Sequence, residues 1–132
     1  MPRVPWPLQH GRPCLEIVLT LAPSGQPFPR MLLADTGAGS QTSGIDLILD
    51  EDDCLLCGGL AGYSVSLGGA YVGSFPLYDL SVQIPALGFA KNLRVVGVSS
   101  IAAPFDGIAC FSFLNRFTYG NFGNPGVFGL EA

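Results

Sequence analysis

In Met31-Leu-Leu-Ala-Asp-Thr-Gly-Ala38, a carboxylate directly follows a short apolar run. The apolar run predicts a buried strand, so Asp35 stands at the strand's end, before the hydroxyl of Thr36 and the glycine Gly37. A carboxylate in such a place must be satisfied by hydrogen bonds or by a function, because burial disfavours its charge. Turns leaving a strand use the same residue types. The tripeptide alone therefore leaves both a turn and a reactive carboxylate open.

Short apolar runs bounded by turn residues continue on both sides of this segment and predict further strands. They cover residues 14–21, 45–49, 63–67, 70–75, 77–84 and 92–98. Gly68-Gly69 separates two of these runs, which is typical of a β-hairpin. Residues 22–29 have turn composition, and residues 111–117 alone have helical spacing, with Phe113, Leu114 and Phe117 on one face. The pattern predicts an all-β fold, a small closed β-barrel with one short C-terminal helix.

The composition fits one folded domain over residues 1–132. The chain has 18 glycines and 11 prolines, but it is 48% hydrophobic, which argues against disorder. Six Lys and Arg against ten Asp and Glu exclude a basic nucleic-acid surface. No apolar run reaches the roughly 18–20 residues of a membrane span, and the proline-rich N-terminus is unlike a signal peptide. We therefore expect a cytoplasmic protein, with neither nucleic acid nor membrane as partner. The absence of flanking domains suggests a free-standing cellular protein of bacterial type.

Simple expectations apply to the remaining polar segments. Residues 1–13 contain four prolines and predict an extended arm, and residues 119–132 form a glycine-rich tail. The acidic run Asp50-Glu-Asp-Asp53 predicts a solvated loop. Arg116 is expected to cap the C-terminal end of the short helix.

Four cysteines stand at positions 14, 54, 57 and 110. Without a secretory signal, free thiols are favoured over disulfides. Cys54-Leu-Leu-Cys57 has the spacing of half a zinc site, but Cys14 and Cys110 lie in apolar runs and the single histidine is His10. We expect neither a metal site nor another cofactor.

Three landmarks, in order, resemble the retropepsin-like, single-lobe aspartic proteases. Asp35-Thr-Gly-Ala38 is similar to the family's active-site motif, and Gly68-Gly69 lies where the family has its flap hairpin. The third landmark is a hydrophobic-hydrophobic-Gly element and helix, which Asp106-Gly-Ile-Ala-Cys-Phe-Ser-Phe-Leu-Asn-Arg-Phe117 resembles. The resemblance spans residues 31–117. Cys110 departs from it, because it stands where the family has glycine behind the catalytic loop, and this bears on activity more than on fold.

The resemblance implies a role for each matching residue. Asp35 would be the catalytic carboxylate, Thr36 would brace two such loops against each other, and Gly37 would let substrate or water approach. The residues implied in substrate binding are Ala38 and the flap tip, Gly68, Gly69 and Ala70. The flap would close over an extended peptide.

The chemistry also implies a stoichiometry. Hydrolysis by this route needs two carboxylates that share one proton, and the chain contains one Asp-Thr-Gly. The second carboxylate would therefore be Asp35 of a second copy, which predicts a homodimeric aspartic endopeptidase acting on a peptide or protein. In the family the terminal strands interleave across the dimer, so residues 119–132 are an expected interface.

Two alternatives remain open at this point. The chain could keep the same fold as a catalytically weak or inactive dimer that serves as a peptide-binding or structural module, with Cys110 marking the lost activity. It could also be an unrelated small β-barrel binding module in which Asp35-Thr-Gly is only a turn.

Overall fold

A computed structural model describes residues 1–67, 73–101 and 103–132, without the side chain of Tyr63. The described residues form ten strands and two short α-helices. In chain order these are β1 (Arg3–Pro7), β2 (Cys14–Thr20), β3 (Pro27–Ala34), β4 (Leu47–Asp50), α1 (Glu51–Leu56), β5 (Tyr63–Leu67), β6 (Gly73–Ile84), β7 (Phe89–Val98), β8 (Gly107–Ala109), α2 (Phe111–Leu114), β9 (Thr118–Gly120) and β10 (Val127–Glu131). The expected all-β class is confirmed.

Seven strands form one sheet that closes on itself. Their order is β2-β3-β8-β4-β7-β6-β5, and β2 also pairs with β6 through Val18 and Gln83. Six strands therefore make a closed ring, and β5 lies outside it, paired antiparallel with β6. The predicted closed β-barrel is confirmed.

Alternating side chains fill the barrel. Leu15, Ile17 and Leu19 of β2 are fully buried, as the period of two of a strand requires. Phe113 of α2 is also fully buried and meets the ring of Phe117 edge-on, with centroids 5.4 Å apart. The helix α2 therefore packs against the core with the apolar face that its spacing predicted.

The strand β8 lies between β3 and β4 in the sheet, although β3 and β4 are consecutive strands in the sequence. It runs parallel to β3 and antiparallel to β4. The contact is so close at Gly107 that a β-carbon there would lie 2.5 Å from the carbonyl oxygen of Ile48 and 2.5 Å from a methyl group of Leu49. Only glycine fits at this position between the two strands. The pairing of β8 with β3 brings residues 109–111 to the end of β3.

Replacing Gly107 with alanine should destabilise the fold strongly, because the backbone of β4 must move to admit the methyl group. We expect Gly107→Ala to lower the free energy of unfolding by about 3 kcal/mol, measured by urea denaturation. The matched control is Gly62→Ala, since a β-carbon at Gly62 meets nothing within 4 Å. Equal stability of the two variants would contradict the close contact between Gly107 and β4.

The two ends of the chain meet in a separate three-stranded sheet. The strand β1 pairs antiparallel with β10 along its whole length, and β10 pairs with β9. Arg3 and Glu131 form an ion pair of 2.8 Å across the first of these pairings. The assignment of the arm and the tail to a dimer interface stays a prediction.

Some sequence expectations were wrong in detail. The acidic run begins the helix α1 instead of forming a loop: Asp50 caps it by accepting the amide of Asp52 at 2.8 Å. The other acidic side chains stand in the first turn, where the helix dipole favours negative charge. The runs 70–75 and 77–84 were expected as two strands; residues 70–72 lie outside the described residues, and from Gly73 onward β6 extends unbroken through Pro76. The strand β3 begins at Pro27, within the expected turn of residues 22–29.

Candidate active site

Asp35 is the first residue after β3, and backbone hydrogen bonds fix its position. Its amide donates to the carbonyl oxygen of Ala109 at 3.0 Å, and its carbonyl accepts the amide of Ala38 at 3.1 Å. One carboxylate oxygen accepts the amide of Gly37 at 3.0 Å. The side chain is only partly buried. Asp35 thus forms a turn and still keeps a carboxylate that solvent or a ligand can reach.

The three residues after Asp35 differ in their surroundings. Thr36 is exposed, and its hydroxyl has no hydrogen-bond partner in the part of the chain that the structure describes. A β-carbon on Gly37 would lie 3.3 Å from the Asp35 carboxylate, so glycine keeps that oxygen open. Ala38 is half-buried and packs on a small apolar cluster that includes Cys110. The predicted residues 35–38 therefore form one compact loop.

Residues 109–111 support this loop from behind. Ala109 accepts the amide of Asp35, and the amide of Phe111 donates to the carbonyl of Ala38 at 2.9 Å. Between them, the amide of Cys110 donates to the carbonyl of Asp46 at 3.0 Å. The β8–α2 junction thus holds both ends of the Asp35–Ala38 turn.

Cys110 fits behind the loop without disturbing it. The residue is 2% exposed, and a β-carbon built on Gly39 would be 3.9 Å from its own β-carbon, an ordinary contact. The hydrogen bonds of the neighbouring Ala109 and Phe111 to the loop are intact. The thiol occupies space that glycine would leave empty.

The loop that follows is closed by a serine hydroxyl. Gly39 has a φ of 73°, and a β-carbon there would come within 3.0 Å of the Ser43 hydroxyl oxygen. Ser43 in turn donates to the carbonyl of Ser40 at 3.0 Å. Glycine at position 39 is therefore favoured by its positive φ, and a larger residue would also have to displace the Ser43 hydroxyl.

Asp46 is a site residue that sequence reasoning missed. It is buried, and its carboxylate accepts the amide of Arg94 at 3.2 Å and the guanidinium of Arg116 at 3.1 Å. The expectation that Arg116 caps α2 was wrong, because the carboxylate is a stronger partner than helix carbonyls. The hint in the sequence was an aspartate interrupting the apolar run Ile45-Asp-Leu-Ile-Leu49.

The strands on either side of the predicted Gly68-Gly69 hairpin turn are paired with each other. The strands β5 and β6 pair in antiparallel register from Tyr63 opposite Leu77 to Leu67 opposite Gly73. The predicted flap-tip residues Gly68, Gly69 and Ala70 lie outside the described residues. Their role in substrate binding stays a prediction.

The four cysteines are free thiols. Burial raises the pKa of Cys54 and of Cys110 to about 12, and neighbouring carboxylates add to the effect. Within residues 1–67, 73–101 and 103–132, no group of three or more His, Cys, Asp or Glu side chains is placed to hold a metal ion. In the same ranges, no helix has the length and apolar character needed to cross a membrane.

The raised thiol pKa values predict a loss of stability at alkaline pH. Cys54 and Cys110 hold their protons more tightly when folded, so their contribution is complete below pH 9.0 and falls as the pH rises towards 12. We expect the free energy of unfolding to decline more steeply there in the wild type than in a Cys54→Ala/Cys110→Ala variant. Urea titrations across this range measure both slopes, and parallel slopes would contradict the assignment.

Comparison with solved structures gives a likeness in fold. No protein-family model matches the chain, and no curated protein matches it. The fold is similar to that of a retropepsin-like aspartic protease from Rickettsia conorii, with 18% sequence identity and a TM-score of 0.49. The likeness covers 90% of this chain and 92% of that chain.

Proposed function

We propose that the protein is an aspartic endopeptidase that acts as a homodimer, with Asp35 of each subunit forming the catalytic pair. The observation that carries the proposal is the placement of Asp35. It directly follows a barrel strand, its backbone is fixed by Ala109, and its carboxylate is partly exposed.

The chemistry follows from two such carboxylates in contact. Like charges about 3 Å apart cannot both ionise, so the pair holds one proton. The ionised Asp35 takes a proton from the attacking water, while the protonated Asp35 donates a hydrogen bond to the scissile carbonyl. The pair titrates as a unit, so its pH profile belongs to both subunits.

The neighbours of Asp35 suit this chemistry. Gly37 leaves space beside the carboxylate, where a β-carbon would lie 3.3 Å from its oxygen. Thr36 is exposed and is available to brace the same loop of a second subunit. The paired stem of β5 and β6 could carry a flap over an extended peptide.

The terminal sheet sets a condition on the dimer. Since β1 already pairs with β10 of its own chain, interleaved termini require one of these strands to exchange partners. A second copy could instead add to the sheet at an edge, β1 or β9. Either arrangement would have to bring the two Asp35 carboxyl groups into contact.

The test is cleavage of denatured casein at acidic and neutral pH, with and without pepstatin, alongside the solution mass. We expect pepstatin-sensitive cleavage by a particle of twice the chain mass. A particle that stays monomeric at high micromolar concentration and cleaves nothing would contradict the proposal. A dimer that binds peptides without cleaving them would instead identify the inactive module.

A further inference from the structure

A polar cluster adjoins the β8–α2 junction that supports the Asp35 loop. We call it the Asp46 cluster; it consists of Asp46, Arg94, Ser112 and Arg116. Asp46 is the buried charged residue of the described chain, and such a charge is retained only when it is paired and hydrogen-bonded. One carboxylate oxygen accepts from Arg116, and the other accepts the amide of Arg94. The Ser112 hydroxyl donates to the carbonyl of Ile45 and lies 3.4 Å from the first carboxylate oxygen.

The cluster joins three elements that are distant in sequence. Arg94 belongs to β7, Ser112 belongs to α2, and Asp46 directly precedes β4. The backbone of Asp46 adds two bonds: its amide donates to the Arg94 carbonyl at 2.9 Å and its carbonyl accepts the Cys110 amide at 3.0 Å. Every hydrogen-bonding group of Asp46 is thus used to fix these elements relative to one another.

These hydrogen bonds also connect the Asp46 cluster to the Asp35 loop, through Cys110. Cys110 stands between Ala109, which holds the Asp35 amide, and Phe111, which holds the Ala38 carbonyl. A shift of Asp46 relative to α2 would therefore move both supports of the Asp35–Ala38 turn. Catalysis by paired carboxylates is sensitive to such shifts, because a displacement of about 1 Å can cost a hundredfold in rate.

We infer that Asp46 and Arg116 are positioning residues, which hold the loop that carries Asp35 through the β8–α2 junction. The consequence for catalysis rests on the proposed function, whereas the consequence for the order of the loop does not. If the Asp46–Arg116 ion pair only stabilised the protein, its loss would speed amide exchange throughout the fold and not selectively in the Asp35 loop.

The surroundings of Arg116 allow a rescue experiment. The cluster borders an open polar pocket of about 370 Å³, whose lining includes Gln41, Asn92 and Arg116. The side chain of Arg116 is 38% exposed, against 9% for Asp46. A small cation in solution can therefore reach the place that the guanidinium occupies when the arginine is truncated.

The experiment compares Arg116→Ala with Arg30→Ala. Arg30 forms the matched ion pair, with Asp53 at 2.8 Å and exposures of 25% and 14%, and it makes no hydrogen bond to residues 109–111 in the described chain. In Arg116→Ala, we expect the amides of Asp35, Ala38 and Phe111 to exchange with solvent at least about tenfold faster. In Arg30→Ala, they should exchange as in the wild type. Added methylguanidinium should restore protection in Arg116→Ala, whereas urea at the same concentration should not.

Equal exchange at these three amides in both alanine variants would overturn the inference, as would rescue by urea. If Arg116→Ala does not fold, Arg116→Lys and Arg30→Lys give the same comparison, and faster exchange confined to Arg116→Lys supports the inference. Equal exchange in the two lysine variants would overturn it.

Activity provides a separate readout. We expect kcat to fall in Arg116→Ala while KM stays within about twofold, since the substrate contacts are unchanged. A wild-type kcat in Arg116→Ala would overturn the inference about Asp46 and Arg116 and would leave the proposed function standing. A wild-type protein that cleaves nothing would count against the proposed function alone, because amide exchange and rescue need no substrate.

Discussion

Asp35→Asn should abolish peptide cleavage while leaving the fold intact. The amide can still accept the hydrogen bond from Gly37 through its oxygen, so the turn is kept. It cannot take a proton from water, and a dimer of such chains has no carboxylate in the pair. We expect kcat to fall by at least about 10⁴-fold, with the free energy of unfolding changed by less than about 1 kcal/mol.

The measurement is initial-rate cleavage of one peptide substrate by both proteins, with urea unfolding in parallel. Asp52→Asn is the matched control, since Asp52 is an exposed aspartate in the first turn of α1. The control should cleave as the wild type does. If Asp35→Asn retained activity, the reaction would belong to another site or to a contaminant.

Mixing wild-type and Asp35→Asn chains should reduce activity by more than the dilution of the wild-type chains alone explains. If each working centre needs one Asp35 from each of two chains, only the wild-type pairs act. With equal amounts of the two chains at constant total concentration, random pairing leaves about a quarter of the activity, whereas independent chains would leave about half. The chains are mixed unfolded and refolded together, so that pairing is random.

The curve of activity against wild-type fraction decides the stoichiometry. A quadratic curve supports a shared pair, and a straight line would show that one chain is sufficient. Co-refolding with Asp52→Asn chains is the control for losses during refolding, and it should leave activity unchanged at every ratio.

The barrel could be predicted because its strands follow local rules. The alternation in Cys14–Thr20 and the apolar face of Phe113 and Leu114 are visible in the sequence. The helix α1 was missed because its acidic residues have the composition of a loop, and the cap at Asp50 acts only once the helix exists. The unbroken course of β6 through Pro76 depends on its partner strands, which local pattern does not define.

Only part of the candidate site could be predicted, because local sequence pattern does not define tertiary contacts. Asp35, Thr36 and Gly37 are contiguous, so a motif identifies them. The Asp46 cluster joins residues from β7, the start of β4 and α2, and its pairs form only through tertiary packing. Arg116 illustrates the limit: its position after α2 suggested a cap, but the nearby buried carboxylate is the partner that the fold supplies.

The crossing of β8 between β3 and β4 has a consequence for synthesis on the ribosome. Asp35 emerges early, but the carbonyl that holds its amide belongs to Ala109 and follows only after most of the chain. Contacts between such distant residues form late, because the intervening chain must first be ordered. A nascent chain therefore exposes the aspartate without the support that orients it, and the Asp35 loop can reach its final conformation only after translation has passed the second helix.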